Sequence, residues 1–284
     1  MRRVKDALTA LFAGEHLDRL AWCGPTPQIT VAQELLADRL APLPTVTVAD
    51  VFDEAFRTLV REHPVEYVFK SCALERLLFG RHSPRRTAFY TEFRVGDSRA
   101  DLVVINGQAH AYEVKTSYDD FSRLAAQLED YYRVFTHVTL FVDETRAESV
   151  ARVVPEFTGI VVLSRKYSMS TVRPAVSSAK GLDNGALFRL LHSDEYLSLL
   201  SRLGVEMRCV DRALRYGQSL EAFAELDPVD AQIEVMQILK QRQRTTQLAD
   251  IADGLPHSLR LAPFAYRKSK SDWGALSERV LLRV

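Results

Sequence analysis

The dipeptide Asn106-Gly107 separates two runs that read as β-strands, and it constrains the chain more than any other local feature. Before it lies Leu102-Val103-Val104-Ile105, preceded by Arg99-Ala100-Asp101; after it a strand-like run extends from Gln108 to Thr116 and carries Glu113-Val114-Lys115. Asn-Gly between such runs is a strong short-range hairpin signal. Side chains alternate faces along a strand, so Glu113 and Lys115 share one face while Val114 points to the other.

Whether Asp101 joins them depends on the length of the connection. A two-residue turn pairs Ile105 with Gln108 and Asp101 with Tyr112, which directs Asp101 away from Glu113. A three-residue connection, Asn106-Gly107-Gln108, or a bulge with the same effect, sets Asp101 opposite Glu113. It is the expected form, because glycine readily takes the left-handed conformation common in such connections. Two carboxylates side by side repel, and a shared divalent cation explains the pairing most simply. Phosphodiester hydrolysis requires these residue types. Carboxylates supply hard oxygen ligands for Mg2+ or Mn2+, a water is activated, and a lysine supplies positive charge near that water or the leaving oxygen. Taken alone, Glu-x-Lys also describes the exposed face of a sheet edge, so the flanking segments matter.

After Thr116, Ser117-Tyr118-Asp119-Asp120 has capping-box character. Phe121, Leu124, Ala125, Leu128, Tyr132 and Phe135 then repeat at helical spacing, which predicts a helix over 118–135. Gln127 and Tyr131, four apart, share one face of it, one turn on from Arg123. Strands are predicted over 87–95 and 137–142, and a helix from about Val65 to Phe79.

This succession, with Asp101 on one strand, Glu113-Val114-Lys115 on the next, Gln127-Leu128-Glu129-Asp130-Tyr131 on a helix and then another strand, resembles the PD-(D/E)XK nuclease superfamily. It resembles in particular the RecB-like branch with a Q-x-x-x-Y motif, although the Pro of the nominal motif is absent. The wider stretch from Glu92-Phe93-Arg94-Val95-Gly96 through Phe135, with Gly80-Arg81-His82-Ser83, is similar to a bacterial family of uncharacterised proteins assigned to that superfamily. The resemblance implies an α/β fold: a restriction-endonuclease-like αβββαβ core with a mixed sheet over 64–167, between helical regions at 1–63 and 168–284. It implies that Asp101 and Glu113 bind Mg2+ or Mn2+, that Lys115 acts on the attacking water, and that Gln127 shapes the site from the helix. Tyr131 is either a direct participant or an aromatic packing on the sheet. Many superfamily members add an acid from the first core helix. Glu75, on the stripe Val68, Cys72, Glu75, Phe79, is the candidate, with Glu66 and Glu92 as rivals, and the sequence does not choose among them. The implied activity is divalent-metal-dependent cleavage of nucleic acid, DNA being the expected substrate, in defence or repair. The alternative is a nuclease-fold module that binds nucleic acid or joins a complex without turnover.

With 284 residues, 47% of them hydrophobic, the chain can bury a large core, and its formal net charge of zero excludes the global field of a histone-like binder. Charge is clustered instead. Between Arg76 and Arg99 stand six arginines against Glu92 and Asp97. Arg81, Arg85, Arg86 and Arg99, with Arg123 on the helix, are the expected phosphate contacts. A second basic segment holds Arg260, Arg267, Lys268 and Lys270. No apolar stretch has membrane-spanning length, and Asp6 interrupts the N-terminus where a signal peptide would be apolar, so a cytoplasmic location is expected. Cys23, Cys72 and Cys209 lack metal-site spacing and read as reduced core residues. Outside the core, helices are predicted over 2–13, 30–40 (from a Thr-x-x-Gln box), 47–62 (from a Thr-x-x-Asp box), 185–203, 210–226, 228–242 and 272–282. A turn-rich connector is expected over 21–27, a fifth strand over 158–163 and a polar segment without periodicity over 166–180. The C-terminal helical region carries no chemical motif and is a candidate surface for a protein partner.

Overall fold

A computed structural model describes residues 2–81, 83–117, 119–164, 168–205 and 212–284, with residues 2, 81, 212 and 213 described by backbone alone. The chain forms two compact units, one of Met1–Arg85, Leu163–Ser170 and Arg244–Val284, the other of Arg86–Val162 and Thr171–Gln243.

The first unit opens with helices Arg2–Ala10 (α1), Gly14–Cys23 (α2), Pro27–Leu35 (α3), Ala37–Leu40 (α4), Val48–Glu62 (α5) and Glu66–Leu74 (α6), the last continuing as a π-helix over Glu75–Arg81. Helix α5 starts where its capping box predicts. The Thr47 N–H donates to Asp50 Oδ2 at 2.8 Å, and Thr47 Oγ1 accepts from the Asp50 N–H at 3.3 Å. The Thr30 box starts nothing. Helix α3 begins earlier, with Pro27 in its first turn after Thr26, because proline's fixed φ and missing N–H suit that position. Helix α2 reaches Cys23 and so takes up part of the expected connector, burying Leu17, Leu20 and Ala21. Cys72 is buried as expected, whereas Cys23 is exposed; Cys209 lies outside the described residues.

A six-stranded sheet runs in the order Ala88–Val95 (β1), Ser98–Asn106 (β2), Gln108–Lys115 (β3), His137–Asp143 (β4), Gly159–Leu163 (β5) and Met169–Arg173 (β6). Strands β1, β2 and β3 pair antiparallel and β4 lies parallel to β3. The sheet is therefore mixed, as expected. Strand β6 falls in the polar segment; only Met169 is buried along it, which leaves no alternation to read. Helix Leu124–Tyr132 (α7) is shorter than predicted. The Thr116 N–H donates to Asp119 Oδ2 and the Ser122 N–H to Asp120 Oδ1, each at 2.7 Å, and these local bonds offer the backbone turns in place of helix. Tyr118, at the predicted helix start, lies outside the described residues.

Helices Ala147–Val153 (α8), Asn184–Phe188 (α9), Ser193–Arg202 (α10), Arg212–Ala224 (α11) and Pro228–Arg242 (α12) follow. The single helix predicted over 185–203 is two, broken where the His192 N–H donates to Glu195 Oε2 at 2.7 Å to start α10. Helix α12 begins as predicted, with Asp227 capping it and Pro228 in its first turn. The chain ends in the first unit with Thr245–Asp253 (α13), Ala262–Ala265 (α14) and Lys270–Arg279 (α15), the last capped by Ser269.

One face of the sheet, with Val103, Ile105, Ala111, Val138 and Leu140, packs with Leu124 and Leu128 of α7 and Val235 and Leu239 of α12. The alternate residues Leu102, Val104, Tyr112, Val114 and Phe141 are also buried. Burial on both faces explains why β2 reads as a continuous apolar run. Among the described residues no helix is long and apolar enough to cross a membrane.

Candidate active site

The hairpin closes with Asn106 paired to Gln108 across Gly107, and the register runs through Ile105–Ala109 to Leu102–Tyr112. Gly107 has φ +76°, the left-handed conformation that only glycine adopts without penalty. The paired residues end at Leu102–Tyr112, in the register the three-residue connection predicts; continued by one step, that register sets Asp101 against Glu113. On the other side of β2, Thr91 pairs with Leu102 and Phe93 with Ala100, which sets Glu92 opposite Asp101. Continued in this way, the two ladders line up Glu92, Asp101 and Glu113 as a row of carboxylate-bearing positions across three adjacent strands.

The row is irregular in a way the sequence does not show. Glu92 has φ 53°, the one positive φ among the described non-glycine residues. In the core, the alternation along β2 slips between Ala100 and Val103. A left-handed glutamate inside a strand is strained, and strain of this kind concentrates where side chains are re-aimed for function. At the slip, Asp101 Oδ2 accepts the Val114 N–H at 2.7 Å. Carboxylate oxygens of Glu92 and Asp101 lie within 4.8 Å of each other, and Arg99 Nη1 is 3.7 Å from Glu92 Oε2.

Glu113 and Lys115 are 3% and 8% exposed, and a buried charge persists only if it is paired and hydrogen-bonded. Lys115 Nζ donates to Glu113 Oε1 at 2.8 Å and to Gln127 Oε1 at 2.9 Å, while Gln127 Nε2 donates to Glu113 Oε1 at 2.7 Å. The Tyr131 hydroxyl lies 2.6 Å from Glu113 Oε2 and 2.8 Å from the Arg99 carbonyl, so its one proton faces two acceptors. Gln127 and Tyr131 reach the same carboxylate because four residues of helix bring them onto one face.

Burial above all, then the charges of Glu113 and Asp101, hold the Tyr131 hydroxyl far above its ordinary pKa. The folded protein therefore keeps this proton where the unfolded chain releases it. The stability contribution is complete below about pH 10 and is lost as pH rises past that value. Tyr131→Phe is expected to lower stability at neutral pH by about 1.5–3 kcal/mol through the lost bond to a charged acceptor, and to flatten the alkaline loss. Denaturant titrations from neutral to strongly alkaline pH check this, and an alkaline limb unchanged from wild type would assign the effect to other groups.

The remaining predicted residues are placed as follows. Arg99 stands beside Glu92, while Arg86 and Arg123 are exposed in the same unit. Glu75 and Arg85 belong to the other unit. There Glu75 is paired with Arg260 at 3.4 Å and lies 3.6 Å from His257, while Glu66 pairs with Lys70. The side chain of Arg81 lies outside the described residues. Two contributors have no local signature. Arg146 donates to the carbonyls of Ser117 and Asp119 at 2.9 and 3.2 Å, with its guanidinium 5.2 Å over the Phe121 ring, and so anchors the loop leaving β3. Asp120 has its carboxyl held below the usual range by the hydroxyl and N–H of Ser122, with smaller contributions from the charges of Arg123 and Lys115.

The Bacteriophage P4 protein cII family model matches residues 60–251. The chain belongs to the Bacteriophage P4 protein cII family. The matched span takes in all six strands and α6 through α12, hence the whole carboxylate row and both α7 residues of this family member's network. Among solved structures, the SPO1766 protein of unknown function from Silicibacter pomeroyi is 20% identical, with a TM-score of 0.29 over 44% of this chain and 86% of that one. No curated protein matches the chain.

Proposed function

We propose that this protein is a divalent-metal-dependent nuclease of the PD-(D/E)XK type. One observation carries the reading: a buried Glu113–Lys115 pair on β3 is completed by Gln127 and Tyr131 from one face of α7, with Asp101 on the neighbouring strand accepting the N–H of Val114, the residue between the pair. The chain order α6-β1-β2-β3-α7-β4 agrees with the αβββαβ order of such cores.

The proposed ligands, Asp101 and Glu113, and the Glu92 carboxylate near Asp101 offer only carboxylate oxygens, which suits Mg2+ or Mn2+ rather than a metal that prefers nitrogen or sulfur. When bound, the cation supplies Lewis-acid neutralisation of the phosphate charge. The chain's own groups do the rest. Lys115, held between Glu113 and Gln127, keeps an ammonium at the carboxylate row, where it orients the attacking water and offsets developing negative charge. Gln127 fixes the Lys115–Glu113 geometry by bonding both. Tyr131, protonated throughout the physiological range, holds the second Glu113 oxygen. Arg86, Arg99 and Arg123 supply exposed charge for backbone phosphates, and DNA is the proposed substrate.

A second reading, binding without turnover, is favoured by one feature: both Glu113 oxygens already accept hydrogen bonds. Incubating the full chain with linear, circular and single-stranded DNA and with RNA, in Mg2+, Mn2+ or EDTA, separates the two. Metal-dependent cleavage is expected. Tight binding with every substrate left intact in either metal would establish the binding module instead.

A further inference from the structure

We propose that a cavity beside the β1–β2 turn binds a phosphomonoester. The cavity, about 380 Å3, is lined by four arginines from four separate elements: Arg94 on β1, Arg133 after α7, Arg189 after α9 and Arg242 at the end of α12. Three of them sit at helix C-termini, where a cation is favourable to the helix dipole. That accounts for the residue type at each terminus, but not for the meeting of four guanidiniums at one concavity.

The charges are not matched locally. Arg242 is committed to Glu195 and to the Leu190 carbonyl, the latter at 3.0 Å. Arg133 and Arg189 share the single carboxylate of Asp183, at 3.4 and 4.0 Å. Arg94 donates Nε to the Gly96 carbonyl at 3.3 Å, and among the described residues no carboxylate stands within ion-pair distance of it. The one acid lining the cavity is Asp130. It is held against the turn, where a Cβ on Gly96, at φ +59°, would lie 2.9 Å from Asp130 Oδ1. The four guanidiniums thus face Asp130, Asp183 and Glu195, and an excess of positive charge is left at a cavity accessible to solvent.

Guanidinium forks match phosphate oxygens in bidentate geometry, and their charge-assisted bonds are stronger than neutral ones. Convergence of several forks on one concavity suits the dianion of a phosphomonoester better than the single charge of a backbone diester. The phosphate source follows from the neighbourhood. Arg94 lies two residues beyond Glu92 on β1, and Asp130 precedes Tyr131 on α7, so the cavity is built on the strand and helix that carry the proposed nuclease site. A strand-terminal phosphate is the source if that reading holds; a free nucleotide presents the same group.

The test measures binding of the full chain in EDTA, which excludes turnover, to one single-stranded oligonucleotide carrying either a 5′- or 3′-phosphate or hydroxyls at both ends. A mononucleotide and inorganic phosphate serve as competitors. One phosphorylated end is expected to raise affinity at least about tenfold, the scale of a single net charge-assisted hydrogen bond. Arg94→Gln/Arg189→Gln should abolish that preference, while Arg152→Ala, at an exposed arginine outside the cavity, should keep it. Both replaced side chains are exposed, and a circular-dichroism melt confirms the fold; the single variants serve if the double one is destabilised. Competition by the mononucleotide would identify a free ligand, and its absence a strand end. Equal affinity for phosphorylated and unphosphorylated probes, with no binding of phosphate or mononucleotide, would overturn the proposal, as would a preference that survives the double replacement. A protein inert in every cleavage assay that still prefers the phosphate would refute the nuclease reading and leave this site standing.

Discussion

Glu113→Gln is expected to lower the rate of metal-dependent cleavage at least ~10²-fold while the protein remains folded, since it removes a ligand charge without removing volume. The network explains why the fold survives. The amide oxygen still accepts from Lys115 and Gln127. On the other side, the Tyr131 hydroxyl can turn its proton to the Arg99 carbonyl, 2.8 Å away, and accept from the new amide nitrogen. Asp101→Asn is expected to lower the rate comparably, with its carbonyl still able to accept the Val114 N–H. Single-turnover cleavage with saturating Mg2+ or Mn2+ measures both effects, alongside a denaturation curve for each variant. Wild-type rates in Glu113→Gln would remove this carboxylate from the chemistry.

Lys115→Met is expected to destabilise the protein by about 3–5 kcal/mol, because it leaves the Glu113 carboxylate buried without its counter-ion. The Glu113 side chain is 4% exposed and that of Lys115 11%, so solvent does little to screen the loss. Glu113→Gln/Lys115→Met should recover most of the stability, since two neutral groups of similar size need no desolvated pair. The pairwise term in this double-mutant cycle is the quantity of interest, read from urea unfolding at constant pH. A Lys115→Met variant that loses under about 1 kcal/mol would place the pair with exposed ion pairs, which contribute little. Cleavage should be absent from both lysine variants whatever their stability. Activity and fold are thereby tested by different observables.

Much of the site's scaffold is legible before any coordinates. The Asn106-Gly107 dipeptide, the two apolar runs and the ease with which glycine takes the left-handed conformation point to the register observed, because turn chemistry and strand alternation act over a few residues. The same holds for the Thr47–Asp50 capping box, for Asp227-Pro228 at the start of α12, and for Gln127 and Tyr131 on one face of α7. Other features depend on partners remote in sequence. The left-handed backbone at Glu92 and the slip in β2 have no mark in the local sequence. The role of Tyr131 was open in the sequence between packing and bonding; its hydroxyl contacts Glu113 and Arg99, 18 and 32 residues away. Strand β6 has no apolar period, since only one of its residues is buried. The last residues of the chain meet the start of α5 where the Val48 N–H donates to the Leu282 carbonyl at 2.9 Å. Local periodicity, turn chemistry and capping were enough to give the hairpin and the faces of the flanking helices, and to favour one of two registers, the one the strands adopt. The strain at Glu92, the anchoring by Arg146 and the meeting of Arg94, Arg133, Arg189 and Arg242 come from the packed fold alone, because residues this far apart are joined by packing and not by spacing.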